Sequence, residues 1–116
     1  MELKNNVIIS LNKKDKNLVV PKNAVGVEYP VSDICTVDGF ESFVVEVGNA
    51  HFYVESGCLI WRDKKMIVAG LKDAKIPEDK NVEKIAVGAF MYQSDLQEIE
   101  IPENIKKKID EYLFKN

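Results

Sequence analysis

The sequence holds a single histidine, His51, and two cysteines, Cys35 and Cys58, so chemistry that depends on these residues has little to work with. Two cysteines do not make a disulfide framework. Neither belongs to a CxxC pair or stands at zinc-ligand spacing. Both lie in apolar surroundings, Asp-Ile-Cys-Thr-Val and Gly-Cys-Leu-Ile-Trp, where a buried free thiol is the expected state. A nucleophile–base pair would have to join Cys35 or Cys58 to His51, because no second histidine exists. His51 itself is expected on a surface loop. No cofactor, no metal site and no catalytic residue is expected, and the chain is read as a non-enzyme.

Long apolar runs are missing as well. The run near the start, Val7-Ile8-Ile9, is far shorter than a signal peptide's apolar region. Nothing approaches the ~20 apolar residues of a membrane span. A cytoplasmic chain without membrane insertion is expected from the sequence as written; a fragment of a longer exported chain would instead belong to the cell surface or the medium. Basic excess is also lacking: 16 Lys and Arg stand against 19 Asp and Glu, for a net charge of −3. The lysines cluster at Lys13-Lys14-Asp15-Lys16, Arg62-Asp63-Lys64-Lys65 and Lys106-Lys107-Lys108. The first two clusters carry an acid and read as turns or exposed faces, so no nucleic-acid partner is expected.

What is present is one domain's worth of chain, 116 residues with 46% apolar content, and it shows internal likeness. Glu83-Lys84-Ile85-Ala86-Val87-Gly88-Ala89-Phe90 aligns with Lys107-Lys108-Ile109-Asp110-Glu111-Tyr112-Leu113-Phe114, and Lys75-Ile76-Pro77-Glu78 with Glu100-Ile101-Pro102-Glu103. Weaker copies are Leu18-Val19-Val20-Pro21 and Phe43-Val44-Val45-Glu46-Val47. The unit reads as a strand, a proline stop that cannot donate a further ladder bond, a short helical turn and an aromatic residue. Units that cannot bury their apolar faces alone bury them by stacking, which predicts a solenoid.

A second likeness joins Val7-Ile8-Ile9, the Lys13–Lys16 cluster and Leu18-Val19-Val20 to Leu59-Ile60-Trp61, Asp63-Lys64-Lys65 and Ile67-Val68. Both read as strand, charged turn, strand. Within 52–68, Phe52-Tyr53-Val54-Glu55, Ser56-Gly57 and Cys58-Leu59-Ile60-Trp61 predict a tight hairpin that continues as a meander.

The stretch Ala89-Phe90-Met91-Tyr92-Gln93-Ser94-Asp95-Leu96-Gln97-Glu98-Ile99-Glu100-Ile101-Pro102 resembles the "AF-x-x-C-x-x-L-x-x-I-x-I-P" core of BspA-type leucine-rich repeats, with Gln93 at the family's cysteine. Asn49-Ala50-His51-Phe52, Gly57-Cys58-Leu59-Ile60 and Asp63-Lys64-Lys65-Met66-Ile67 resemble a hairpin that interrupts bacterial members of that family. The likeness covers 43–116 well and 1–42 thinly. It implies an α/β fold, a short leucine-rich-repeat-like solenoid with a β-meander insertion. One domain is expected: a weak N-terminal repeat or cap over 1–42, a strand plus meander over 43–74, and two clear repeats over 75–116. The role it implies is that of an interaction scaffold in bacterial surface or secreted proteins.

In such a solenoid alternate strand positions face solvent. Val45 and Val47 are expected to point in and Glu46 out; Ala74 and Ile76 in and Lys75 out; Ile99 and Ile101 in and Glu98 and Glu100 out. A mixed ladder Glu46–Lys75–Glu100 follows. Tyr53 and Trp61 on the meander complete the candidate partner-binding set, since tryptophan is enriched at hot spots; the alternative for Trp61 is to cover the far side of the meander. Phe40, Phe43, Phe52 and Phe90 are expected in the core. Ile105, Ile109, Tyr112 and Leu113 share one face of a C-terminal helix, which either caps the solenoid or joins two chains as a homo-oligomer. The expected function is recognition of another protein through the sheet face or the aromatic meander. The alternatives are an end piece of a larger cell-surface protein that acts through assembly, or a small intracellular inhibitor of a host protein.

Overall fold

The computed structural model describes residues 1–29, 31–78, 80–86 and 88–90. The chain opens with β1 (Glu2–Lys4) and β2 (Val7–Ser10), an antiparallel pair. Asn5 and Asn6 join them, both at positive φ (53° and 64°), the conformation a two-residue hairpin turn demands and asparagine tolerates. β3 (Asn17–Val20) leaves this sheet, whereas β4 (Gly26–Val27) returns to lie parallel to β2. β5 (Ser42–Val45) pairs in parallel with β3 as a separate two-stranded sheet. The meander follows: β6 (Phe52–Glu55), β7 (Cys58–Trp61) and β8 (Met66–Gly70) run antiparallel, and β9 (Lys84–Ile85) adds parallel to β8.

One apolar core serves all three sheets. Ile8 and Val27 from the first, Leu18 from the second, and Phe52, Leu59 and Val68 from the third surround a void of about 10 Å³. That space is no larger than one water and has no polar lining to hold it. β7 and β8 are buried at every position, so both faces of the meander's centre are covered. Phe40, Phe43, Phe52 and Phe90 are all in this core, as expected. At the end of β8, Gly70 donates its amide to the Ala89 carbonyl at 3.0 Å, and a Cβ there would overlap the Phe90 ring.

The expected α/β solenoid is not what forms. The described residues make a small all-β globule with a radius of gyration of 12.9 Å, close to the ~13 Å of a compact 100-residue domain. They contain no α-helix, only 3-10 turns at Lys13–Lys16, Val31–Asp33 and Arg62–Lys64. The reason lies in the segments after the strands. Ala24 bonds back to Pro21 and Ala74 to Leu71, each a single i→i+3 closure. One such turn satisfies the chain before the several residues needed to nucleate a helix are in place.

Parallel pairing does occur, but β2–β4, β3–β5 and β8–β9 belong to three different sheets and do not stack into one ladder. The amphipathic C-terminal stretch and the rung at Ile99–Ile101 lie outside the described residues.

Candidate functional site

Among the described residues, exposed apolar side chains occur at Val25, Tyr29, Val47 and Val54 and, as an adjacent pair, at Val19 and Val44 on the two-stranded sheet. Leu18-Val19-Val20 and Phe43-Val44-Val45 each place three apolar residues in a row. A strand can turn only alternate residues to one face. Leu18, Val20 and Phe43 take the core, which forces Val19 and Val44 outward, where they are 54% and 53% exposed. The register sets them side by side. Beside them lie Asn17 and Ser42, likewise paired, with Ser42 Oγ donating to Asn17 Oδ1 at 2.9 Å. The outward face is therefore an uncharged strip of two amide- and hydroxyl-bearing residues and two valines. Among the described residues, neither β3 nor β5 pairs with a further strand.

Charge enters at the strip's ends. Past β5 the Glu46 amide donates to the Val20 carbonyl at 2.9 Å, and the Glu46 carboxylate accepts the Lys22 amide at 3.0 Å. At the other end the Glu41 amide donates to the Lys16 carbonyl at 2.8 Å. Asn49 holds the loop behind this sheet. Its Nδ2 donates to the Pro21 and Ala24 carbonyls, and its Oδ1 accepts the His51 and Phe52 amides.

The residues expected to bind a partner are not gathered together. Glu46 is exposed beside the valine strip. Val47, expected inside, is 94% exposed. β5 ends at Val45, and the chain turns at Gly48 (φ +101°), so the two-residue period stops before it reaches Val47. Lys75 is exposed and Ala74 and Ile76 are buried, as expected. Lys75 nevertheless lies outside any strand, its amide donating to the Ser56 carbonyl at 2.9 Å, so the Glu46–Lys75–Glu100 ladder does not form among the described residues. Glu98 and Glu100 lie beyond them.

Tyr53 is half-buried, with the Arg62 guanidinium 4.4 Å above its ring. Trp61 is only 8% exposed. Its ring stacks on Phe52 at 6.1 Å, meets Tyr29 edge-on at 6.0 Å and donates Nε1–H to the Val25 carbonyl at 3.2 Å. Gly26 makes room for it, since a Cβ there would come within 2.7 Å of the indole. Trp61 covers the far side of the meander, the second of the two roles open to it.

The sparse reactive groups are kept apart. Cys35 and Cys58 are buried free thiols, as their neighbourhoods imply. Burial pushes the Cys58 thiol up to about 12, with the nearby Glu55 charge adding to the rise. Burial also raises Cys35; a backbone hydrogen bond from Val37 opposes it and the Asp15 charge reinforces it. His51 Nδ1 sits 2.9 Å from the Asp63 carboxylate, at the open end of the β6–β7 hairpin, whereas Cys58 adjoins its Ser56-Gly57 turn. Among the described residues no three His, Cys, Asp or Glu side chains are placed to hold a metal ion. No described helix is long and apolar enough to cross a membrane.

Val19 and Val44 were missed by sequence reasoning, although the signal was there: each is the middle residue of a three-residue apolar run, where one side chain must face away from its neighbours. No family model matches the chain, and neither a curated protein nor a solved structure does.

Proposed function

We propose that this chain is a protein-recognition module that works without chemistry of its own, and that its contact surface is the outward face of β3 and β5 with Glu46 at the rim. The observation that carries this reading is the in-register pair Val19 and Val44, both more than half exposed on a sheet with no further described strand. Apolar residues grouped on an otherwise charged surface are the usual material of an interface. Among the described residues, the two thiols are held protonated by burial and the imidazole is engaged by Asp63, so nothing supports a cysteine–histidine pair.

The test is cross-linking capture with the wild type and with Val19→Lys/Val44→Lys, both confirmed as folded by their near-ultraviolet circular dichroism. A partner enriched by the wild type and reduced at least about tenfold by the double variant, the scale of losing a hot spot, supports this surface. Equal capture by both proteins removes the sheet face from consideration.

A further inference from the structure

We propose that Asp38 is a covalent modification site, a residue that converts to isoaspartate in the folded protein by closing a ring on the amide of Gly39. Asp38-Gly39 is the one place in the sequence where an aspartate or asparagine precedes glycine. Glycine has no Cβ to hinder a ring closing on its nitrogen, and it takes up backbone angles that other residues resist. Gly39 stands at φ +84°, in a bend between β4 and β5 where Asp38 is exposed. Among the described residues, the Asp38 carboxylate has no hydrogen-bond or ion-pair partner and the Gly39 amide donates to no acceptor. The other described aspartates each lack one of these conditions. Asp15 accepts from the Met1 ammonium and the Asn12 amide, both at 2.8 Å, and Asp63 is held 2.9 Å from His51. Asp33 and Asp73 are exposed, but the amide that follows each is committed to a turn. Ile34 donates to the Val31 carbonyl at 3.1 Å and Ala74 to the Leu71 carbonyl at 3.0 Å. An amide held in such a bond must give it up before it can turn toward the side chain behind it.

The Gly39 nitrogen attacks Asp38 Cγ and a C–N bond forms. One carboxylate oxygen leaves as water, taking the amide proton and one proton from solvent, and a five-membered succinimide remains. Water then adds to one of the two ring carbonyls. Opening at Cγ restores aspartate; opening at the backbone carbonyl breaks its bond to nitrogen and leaves the chain running through Cβ and Cγ. The water consumed replaces the water released and the solvent proton is returned, so the product is an isomer of the starting chain. Isoaspartate adds one methylene to the backbone and frees a backbone carboxylate. The fold has little slack for either, because Val37 and Phe40 on the two sides are both buried. Phe40 packs on Phe43 at 5.0 Å between ring centroids. Beyond them, the Thr36 amide is tied to the Leu11 carbonyl and the Glu41 amide to the Lys16 carbonyl, each at 2.8 Å. A backbone lengthened between fixed points must push Phe40 out of register with its neighbours, and well-packed interiors resist an inserted methylene.

The test is to age the folded protein in warm neutral buffer beside the same chain unfolded in urea. Isoaspartate is counted by an isoaspartyl methyltransferase with labelled S-adenosylmethionine, and it is located by electron-transfer fragmentation of the peptide that spans residue 38. The expected result is methyl acceptance that grows with time in the folded protein, isoaspartate at position 38, and an aged fraction of unchanged mass that unfolds at a lower temperature than fresh protein. Asp38→Glu keeps the charge but requires a six-membered ring that closes far more slowly, so it should remove most of the label. Residue 38 that stays an ordinary aspartate in the folded protein while the urea-unfolded chain isomerises would overturn the proposal, by showing that the fold protects this bend. Label that accumulates equally in Asp38→Glu would overturn it by placing the reaction at another residue. An isomerised fraction with the unfolding temperature of fresh protein would overturn the claimed coupling of the bend to Phe40.

Discussion

Two stretches of this chain follow one plan, an apolar strand, a charged turn and a second apolar strand, and fold to different ends. From Cys58 to Gly70 the chain simply reverses: β7 and β8 pair side by side, Trp61 opposite Met66. From Val7 to Val20 it does not: β2 stays in the first sheet and β3 leaves for the second. The strands are alike in composition, so the difference lies in the turns.

Arg62–Lys65 closes quickly, because Lys65 adopts a left-handed conformation (φ 53°, ψ 44°) and returns its amide to the Arg62 carbonyl at 3.2 Å. In the first stretch Leu11 is drawn aside to bridge Cys35. Asn12 then starts a reciprocal cap, its side chain accepting the Lys14 amide and its amide donating to Asp15. The Met1 ammonium locks Asp15 at 2.8 Å. A left-handed residue turns the chain back on itself; a capping box sends it onward.

The largest expected effect tests what joins the two stretches. Trp61 lies in the second and packs on Gly26 and Val25 beside the first. Trp61→Ala should cost about 3–5 kcal/mol, through a lost aromatic volume and an unsatisfied Val25 carbonyl. Urea unfolding reads this directly, and a loss below about 1 kcal/mol would show the stretches to be nearly independent.

Each side of the comparison also holds one buried thiol, Cys35 bridged to Leu11 and Cys58 at the start of β7. Both folded values are raised above the ordinary ~8.5, so the folded protein keeps protons that the unfolded chain releases. The stability from each neutral thiol is complete below about pH 8.5 and falls as pH rises, by about 1.4 kcal/mol per pH unit for each thiol until its folded value is passed. For Cys58 that decline runs up toward about 12. Between pH 8 and 10.5, Cys58→Ala should flatten the slope of stability against pH; an unchanged slope would mean that the thiol ionises in place.

The smallest effects should have opposite signs. Asn12→Ala should lose about 1 kcal/mol with its cap. Lys65→Gly should gain up to about 1 kcal/mol by relieving a left-handed side chain. Thermal unfolding of both variants checks the pair, and a shared sign would refute the account of the two turns.

The meander was legible in the sequence because its information is local. Ser56-Gly57 sets the hairpin turn, and the flanking runs define β6 and β7 to the residue. The cysteine environments and the Ala74–Lys75–Ile76 alternation are local in the same way. Allocation of parallel pairs to three sheets is not local. It depends on Leu11 meeting Cys35 and on β4 returning to β2, contacts between segments that no spacing rule connects. Trp61's burial did have a readable signal, a glycine within a strand at Gly26, which often marks a close approach by another group. The exposure of Glu46 was legible through strand alternation, whereas the same rule was not applied to Val19 and Val44 beside it.

The contact between Gly70 and Phe90 has a consequence for how this chain can diverge. The ring occupies the space a Cβ at position 70 would need, so position 70 cannot gain a side chain while the ring stays. A relative that keeps an aromatic residue at the second position must keep glycine at the first, and one that replaces the ring with a small side chain releases the glycine. The two positions should therefore covary across any set of related sequences, and a strand that ends in glycine with phenylalanine some twenty residues later is a sparse pattern by which distant members can be found after the surface has changed.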